Sequence, residues 1–568
     1  MKSGKFLFLA IIFLVSLLCI SAVSAADEAV NDVIADTNDE TVLQESIDDE
    51  ILADSQNDEL EETDDNALGD GEEGSEPYEL IYPDFTGLSD FINGGEDVIE
   101  LSTDFVYDDE DDPIGINITH NVTIYGNGHT IDGKNKSRIF IVPNDIFVVF
   151  KDINFKNAYL EPKEEGAAIW LDLLGEAQAI NCNFTNNEAF SGGATVGVDA
   201  INCTFINNTA IGGGAMFGGS AVNCTFINNE GTAGGAISCV DAINCTFINN
   251  TASDSGGAIY SGDAINCKFI NNTAGYMGGA MRDCEAINCT FTQNSAPNGG
   301  AISEAKVVNC ILTKNTASNR GGAMYDCEAI NCTITQNSAQ YGGAMYYGNA
   351  TNCTFKFNTA TKSGNDAYEV ITDNTCRFIK STKITASAVT AIYNNNKYLV
   401  ITLKDSEGKV LSGLYVSVTL SGTKKYKTNS NGQIKINVAK LVPKTYTAKI
   451  SFAATGNYLA SSTTAKVTVK KAAVKLTAKA KTFKVKVKTK KYTVTLKNNK
   501  HKVLKKVKLT LKVGKKTYKA TTNSKGKATF KITKLTKKGK YNAVIKYAGN
   551  KYYNKVSKKV KITVKKYM

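Results

Sequence analysis

The chain has 568 residues, 42% of them hydrophobic, with one Trp, 14 Cys and a formal net charge of +7. That length allows several domains. Only one apolar run, at the N-terminus, approaches spanning length, so a bundle of membrane helices is excluded, and the three scattered histidines (His120, His129, His501) form no metal constellation.

Met1 to Ala25 reads as a secretory signal. Lys2 and Lys5 precede the apolar stretch Phe6 to Ile20, and Val23-Ser24-Ala25 suits small-residue cleavage. If the segment is kept, it is the one expected membrane anchor. Residues 26–77 are acidic, poor in aromatics and without apolar period, which predicts a disordered, self-repelling segment. The modest net charge conceals an asymmetry. Residues 1–380 hold 17 Lys+Arg and 55 Asp+Glu; residues 381–568 hold 47 Lys and only two acids, Asp405 and Glu407.

Internal repeats dominate residues 78–380. Cys182, Cys203, Cys224, Cys245, Cys267, Cys289, Cys310, Cys332, Cys353 and Cys376 recur every 21 to 23 residues. Gly-Gly-Ala returns with the same rhythm from Gly192-Gly193, Gly213-Gly214 and Gly256-Gly257 onward. So does Phe-x-x-Asn, as in Phe205/Asn208, Phe226/Asn229, Phe247/Asn250 and Phe269/Asn272; Leu312 and Ile334 replace Phe in two copies. The unit has no helical period and almost no leucine. Short alternations of β-branched and aromatic residues, broken by Asn and Gly, predict coils of short strands stacked as a parallel β-helix. Strict alternation in Ala242 to Phe247 predicts Ile243, Cys245 and Phe247 inside and Asn244 and Thr246 outside. Asn249-Asn250 and Gly256-Gly257 are expected to form corners.

The cysteine column admits three readings. Zinc sites cluster their ligands at short spacing, which this column lacks. Disulfides between adjacent rungs are poorly disposed, because in-register Cβ vectors run parallel about 4.8 Å apart. Free, buried thiols serving as small apolar side chains fit the period best. In an exported protein, so many thiols point to an oxygen-free habitat.

The Gly-Gly-Ala-Ile/Met and Phe-x-x-Asn words resemble the repeat of chlamydial polymorphic outer-membrane proteins. Ile124-Tyr-Gly-Asn-Gly-His-Thr-Ile-Asp-Gly133 resembles the first coils of pectate-lyase-like β-helices, which implies a right-handed solenoid. The order of signal, solenoid and basic modules resembles adhesin-like surface proteins of methanogenic archaea. No barrel of the kind that ends the chlamydial proteins fits residues 381–568.

Residues 381–470 and 471–568 are a duplication. Thr428-Asn-Ser-Asn-Gly432 matches Thr522-Asn-Ser-Lys-Gly526, and Lys409-Val-Leu matches Lys502-Val-Leu. Alternating strands and Asn/Gly turns predict two β-sandwiches of Ig-like size, resembling bacterial Ig-like surface modules. The second copy holds 34 Lys and no Asp or Glu. The alternation Phe483-Lys-Val-Lys-Val-Lys488 predicts one lysine face and one core face.

No cofactor motif, metal site or catalytic constellation is evident. Four residues before each ladder Cys runs a polar column that includes Asp199, Asp241, Asp263, Glu285 and Glu328. Its members are expected to face outward as a solubilising position. A retaining-glycosidase pair or a Ca²⁺ site are the alternatives. Tyr260, Tyr325, Tyr346 and Tyr347 are expected on the outer face as an aromatic platform. The overall expectation is a secreted or cell-surface adhesin-like protein without enzymatic activity. Its partner would be an anionic cell-wall polymer or surface glycan, or another cell's surface protein, and not nucleic acid. A carbohydrate-active β-helix enzyme and a structural envelope component are the alternatives.

Overall fold

The computed structural model describes residues 83–159 and 165–566. The expected signal, the acidic segment and residues 78–82 lie outside that range.

The described chain is all-β apart from short helices. From Val98 to Ile379 it forms a parallel β-solenoid of three sheets with 23, 13 and 7 strands. The 13-stranded sheet takes one strand from each coil, and the largest sheet takes two where both are formed. The coil around Cys267 shows the plan. Ile259–Tyr260 and Ala264–Ile265 lie on one face, Lys268–Ile270 on the second and Thr273–Ala274 on the third. Left-handed residues Ser261, Asn266, Asn271 and Gly278 separate these strands and turn the chain. Asn is favoured at two of these positions because its short amide tolerates positive φ.

Register is strict. Phe184, Phe205, Phe226, Phe247, Phe269 and Phe291 pair coil to coil, their rings stacked at 4.6–4.8 Å except for 4.9 Å between Phe247 and Phe269. All are fully buried. The phenyl column, the cysteine column and an alanine column fill the interior.

The predicted orientation of Ile243 is corrected. Ala242 is buried and Ile243 only half-buried. Asn244, with φ of +57°, falls between the strands Asp241–Ile243 and Thr246–Ile248. A left-handed residue breaks the two-residue alternation, so the face turned inward changes across it. The expected Asn corner also divides into two roles. Asn249 is the left-handed corner, with φ of +56°. Asn250 is not; it is fully buried, as are Asn208, Asn229 and Asn272.

The two glycines of Gly-Gly-Ala are needed for different reasons. Gly256 has φ of +65°, and a Cβ on Gly257 would collide with the carbonyl oxygen of Gly279 in the next coil. At the N-terminal end, the helix Phe85–Asn93 covers the solenoid. Asp84 caps it by accepting from Gly87 N–H at 2.7 Å, and Phe85, Leu88 and Ile92 are buried against the first coils. This blunts an otherwise open sheet end.

Each C-terminal repeat is a two-sheet sandwich around one core. The first pairs a three-stranded sheet (Thr382–Ala386, Tyr398–Asp405, Gln433–Asn437) with a five-stranded one, and the second repeats that strand order. One expectation fails in the second module. The Lys/Val alternation after Phe483 is not one strand: the strand ends at Lys484, and Val487 is exposed. Lys490 is instead buried, its Nζ donating to Val487 O at 2.7 Å. The carbonyls of the turn supply the acceptors that a buried ammonium requires.

Candidate functional site

The buried columns are occupied by packing and internal hydrogen bonds. Asn250 illustrates the amide ladder. Its Nδ2 donates to Asn272 Oδ1 (3.0 Å) and Phe226 O (3.0 Å), while its Oδ1 accepts from Asn229 N–H (2.9 Å) and Nδ2 (3.0 Å). The column ends at Asn358, whose Nδ2 donates to Asp366 Oδ1 at 3.0 Å; burial pushes that carboxyl up from the ordinary range. The cysteines form a parallel ladder. Cys245 N–H donates to Cys267 Sγ (3.3 Å), and the Cys245 thiol donates to Ala221 O (3.4 Å). The same bonds link Cys182, Cys203 and Cys224 upstream, and Cys289 N–H donates to Cys310 Sγ downstream. Cys332 and Cys353 repeat the pattern. The thirteen cysteines among the described residues are free, and of these only Cys239 is exposed. Hydrogen bonds to the neighbouring thiols, with burial, push Cys203 and Cys267 well above the usual thiol range. Protonated, buried sulfur is inert.

The carboxylate column lies on the outside and helps to join the coils. Asp199 Oδ1 accepts from Ser220 Oγ at 2.7 Å, Asp241 Oδ1 from Asp263 N–H at 3.0 Å, and Asp263 Oδ1 from Glu285 N–H at 2.7 Å. Lys306 pairs with Glu285 at 2.7 Å and is in register with Glu328 on the following coil. A second acidic column, not anticipated from the sequence, runs beside this one and is made of Asp283, Glu304 and Asp326. All three are left-handed corner residues. The signal was available as an acid six residues before the ladder cysteine. The two columns border a shallow groove of about 620 Å³ floored by Cys284, Ala305 and Cys327. Among the described residues, no group of three or more His, Cys, Asp or Glu side chains is placed to hold a metal ion.

The expected tyrosines are partly assembled, and Tyr346, expected on the outer face, is buried in the stack instead. Tyr325, Tyr346 and Tyr368 stack along the axis at 5.7 and 5.4 Å, and the Arg320 guanidinium lies 5.2 Å from the Tyr346 ring centroid. Tyr347 stands beside them, 41% exposed; bonds with Glu369 and Tyr346 push its phenol up to about 12. Tyr260 belongs to the same register column but is separated from Tyr325 by Arg282 and Ser303.

The second module carries the densest positive charge, 34 Lys without an acid. Its sheets bury Leu, Val, Phe, Ile and Tyr, and their outer positions hold Lys and Thr. In the first module, both acids are engaged. Asp405 Oδ1 accepts from Glu407 N–H (3.1 Å) and Lys409 N–H (2.8 Å), and Glu407 pairs with Lys380 of the solenoid at 2.7 Å.

Residues 244–262 and 288–303 match the family described as the Chlamydia polymorphic membrane protein (Chlamydia_PMP) repeat. No curated protein matches the chain. Similar solved structures include a bacterial ice-binding adhesin at 14% identity, covering 35% of this chain and 69% of that one with a TM-score of 0.17. Invasin, a bacterial integrin-binding protein, is 17% identical over 32% of this chain and 39% of its own, with a TM-score of 0.23. The titin domains z1z2 are 10% identical over 33% of this chain and 98% of theirs, with a TM-score of 0.20.

Proposed function

We propose that the protein is a secreted or cell-surface adhesin-like protein. The solenoid, of the right-handed pectate-lyase-like type, serves as a stiff rod that displays its outer columns. The Ig-like modules hold an anionic cell-wall polymer or surface glycan. The observation that carries this reading is the division of labour between the two regions. The solenoid repeats its residues where no partner reaches them and varies them outside, whereas the second module carries 34 Lys without one acid. A field of one sign concentrates oppositely charged polymers at the surface. The repeat match to a membrane-protein family of Chlamydia supports a surface role. The carboxylate column acts in this reading as a set of acceptors that tie coil to coil, not as acid and base of a hydrolase.

The test is cosedimentation of the full chain with isolated cell walls across a salt series. Binding should weaken steeply as salt screens the lysines. Binding indifferent to salt would overturn the electrostatic reading. Cleavage of acidic polysaccharides that disappears in Asp241→Ala or Asp263→Ala would replace it with an enzyme.

A further inference from the structure

The second module is the first with its acids erased. Where Asp405 holds a turn in the first module, Asn498 holds the matching turn in the second, accepting from Lys500 N–H and Lys502 N–H, both at 2.9 Å. The bonds are the same and the charge is gone, while the position of Glu407 has become Lys500. The first module shows that this turn accepts a carboxylate. The fold therefore does not demand the change.

The lysines of the second module are also ordered. In the three antiparallel ladders of its five-stranded sheet, no lysine faces a lysine; the single such pair in that sheet, Lys484 with Lys565, lies in its parallel edge ladder. One row across the strands reads Lys519, Thr510, Lys546, Ser557. A second pairs Thr521 with Lys508, and a third reads Thr517, Lys512, Val544, Lys559. Charged stems and short side chains form a checkerboard. Directly opposed residues lie about 5 Å apart and diagonal ones about 7–8 Å, so the lysine stems are spaced at the larger interval. The three-stranded sheet of the same module lacks this order: Lys475 faces Lys497, and Lys491 faces Lys531. Like charges directly opposed are unfavourable, so the ordered face is the one on which ammonium groups sit apart with hydroxyls between them. Lys508, Lys519, Lys546 and Lys555 border a depression of about 850 Å³ on that face, together with Thr510, Thr521 and Ser557.

We propose that this face is a binding site for an acidic polysaccharide. The ammonium groups pair with carboxylate, sulfate or phosphate groups along the polymer, and the Thr510, Thr521 and Ser557 hydroxyls bond to the sugar hydroxyls between charges. This rests on the reading of the modules as polyanion binders and names the face and the ligand class. A single-stranded nucleic acid would ask for aromatic platforms under its bases; the outward positions of these rows hold Lys, Thr, Ser and Val instead.

The test uses the full chain and three immobilised polymers: polygalacturonate, polyphosphate and single-stranded DNA. The triple variant Lys508→Gln/Lys519→Gln/Lys546→Gln should weaken polygalacturonate binding roughly tenfold or more, while the equally charged control Lys475→Gln/Lys491→Gln/Lys531→Gln should weaken it only about twofold. Thr510→Val/Thr521→Val should weaken polygalacturonate and leave polyphosphate, which has no sugar hydroxyls, unchanged. Equal losses in the two lysine variants would overturn the site and leave the general polyanion reading standing. A threonine variant that weakens neither polymer would overturn the sugar assignment. So would a groove variant that affects DNA more than polygalacturonate. A wild-type chain that binds none of the three would overturn the underlying reading as well.

Discussion

The solenoid and the second basic module place their repetition on opposite sides of the backbone. In the solenoid, Phe, Cys and Asn recur inside, coil upon coil, and the outside changes from Asp241 to Asp263 to Glu285 to Lys306. In the module, the inside is a mixture of Leu, Val, Phe, Ile and Tyr, and the outside returns to Lys again and again. The difference teaches where selection for shape ends. A solenoid core stacks like on like, so each residue is its own neighbour's template. A sandwich core needs only complementary volumes. Monotony inside is packing; monotony outside is a field.

Substitutions should separate the two regions sharply, and Trp170, the chain's only Trp, lies in a solenoid strand and reports that region alone. The largest effect is expected from Phe247→Ala, which opens a hole in the stacked column and should cost the solenoid roughly 3–5 kcal/mol. Asn250→Ala strands the Asn229 N–H and Nδ2 donors, for a loss of about 2–4 kcal/mol. Denaturant titration followed by Trp170 fluorescence measures both. Losses below about 1 kcal/mol would show that the columns are not the source of the solenoid's cohesion.

A smaller effect follows from the thiols. Burial pushes Cys327 up to about 12, and hydrogen bonding with Cys310, together with burial, pushes Cys332 to the same value, against 9.0 for an ordinary thiol. The unfolded chain thus loses these protons first as pH rises. The stability they supply is complete below pH 9.0 and disappears between 9.0 and about 12. Fluorescence-detected unfolding at stepped pH should show that decline, and Cys327→Ala should flatten it. An unchanged slope in the variant would remove the thiol from the explanation.

The smallest effect is expected on the basic sheet. Lys512→Gln, on an exposed position opposite Thr517 and Val544, should change the module's thermal stability by no more than about 0.5 kcal/mol. A larger loss in calorimetry would mean that this lysine is structural, and the contrast with the solenoid would narrow.

The period of 21 to 23 residues and its Asn and Gly punctuation suffice to read the solenoid, and an offset of 93 or 94 residues between matching words, as in Lys409/Lys502 and Thr428/Thr522, suffices to read the duplication. Side-chain direction was less legible. Alternation carried through Asn244 places Ile243 in the core, and the left-handed backbone of Asn244 interrupts that alternation. The Lys/Val alternation places Lys486 and Lys488 in a strand that in fact ends at Lys484. The Asp283, Glu304 and Asp326 column is not legible from alternation, because all three sit at left-handed corners between strands.

The stacking follows from the order of residues alone, because a coil of nearly constant length must return each residue to a place above its earlier copy. The lysine checkerboard arises only once the strands have paired. That pattern depends on the register between Lys508–Val513, Lys516–Thr521, Gly539–Tyr547 and Val556–Lys565. Strands that meet through hydrogen bonds rather than through a fixed period do not carry their alignment in the order of their residues, and a shift of one position would turn every side chain to the other face.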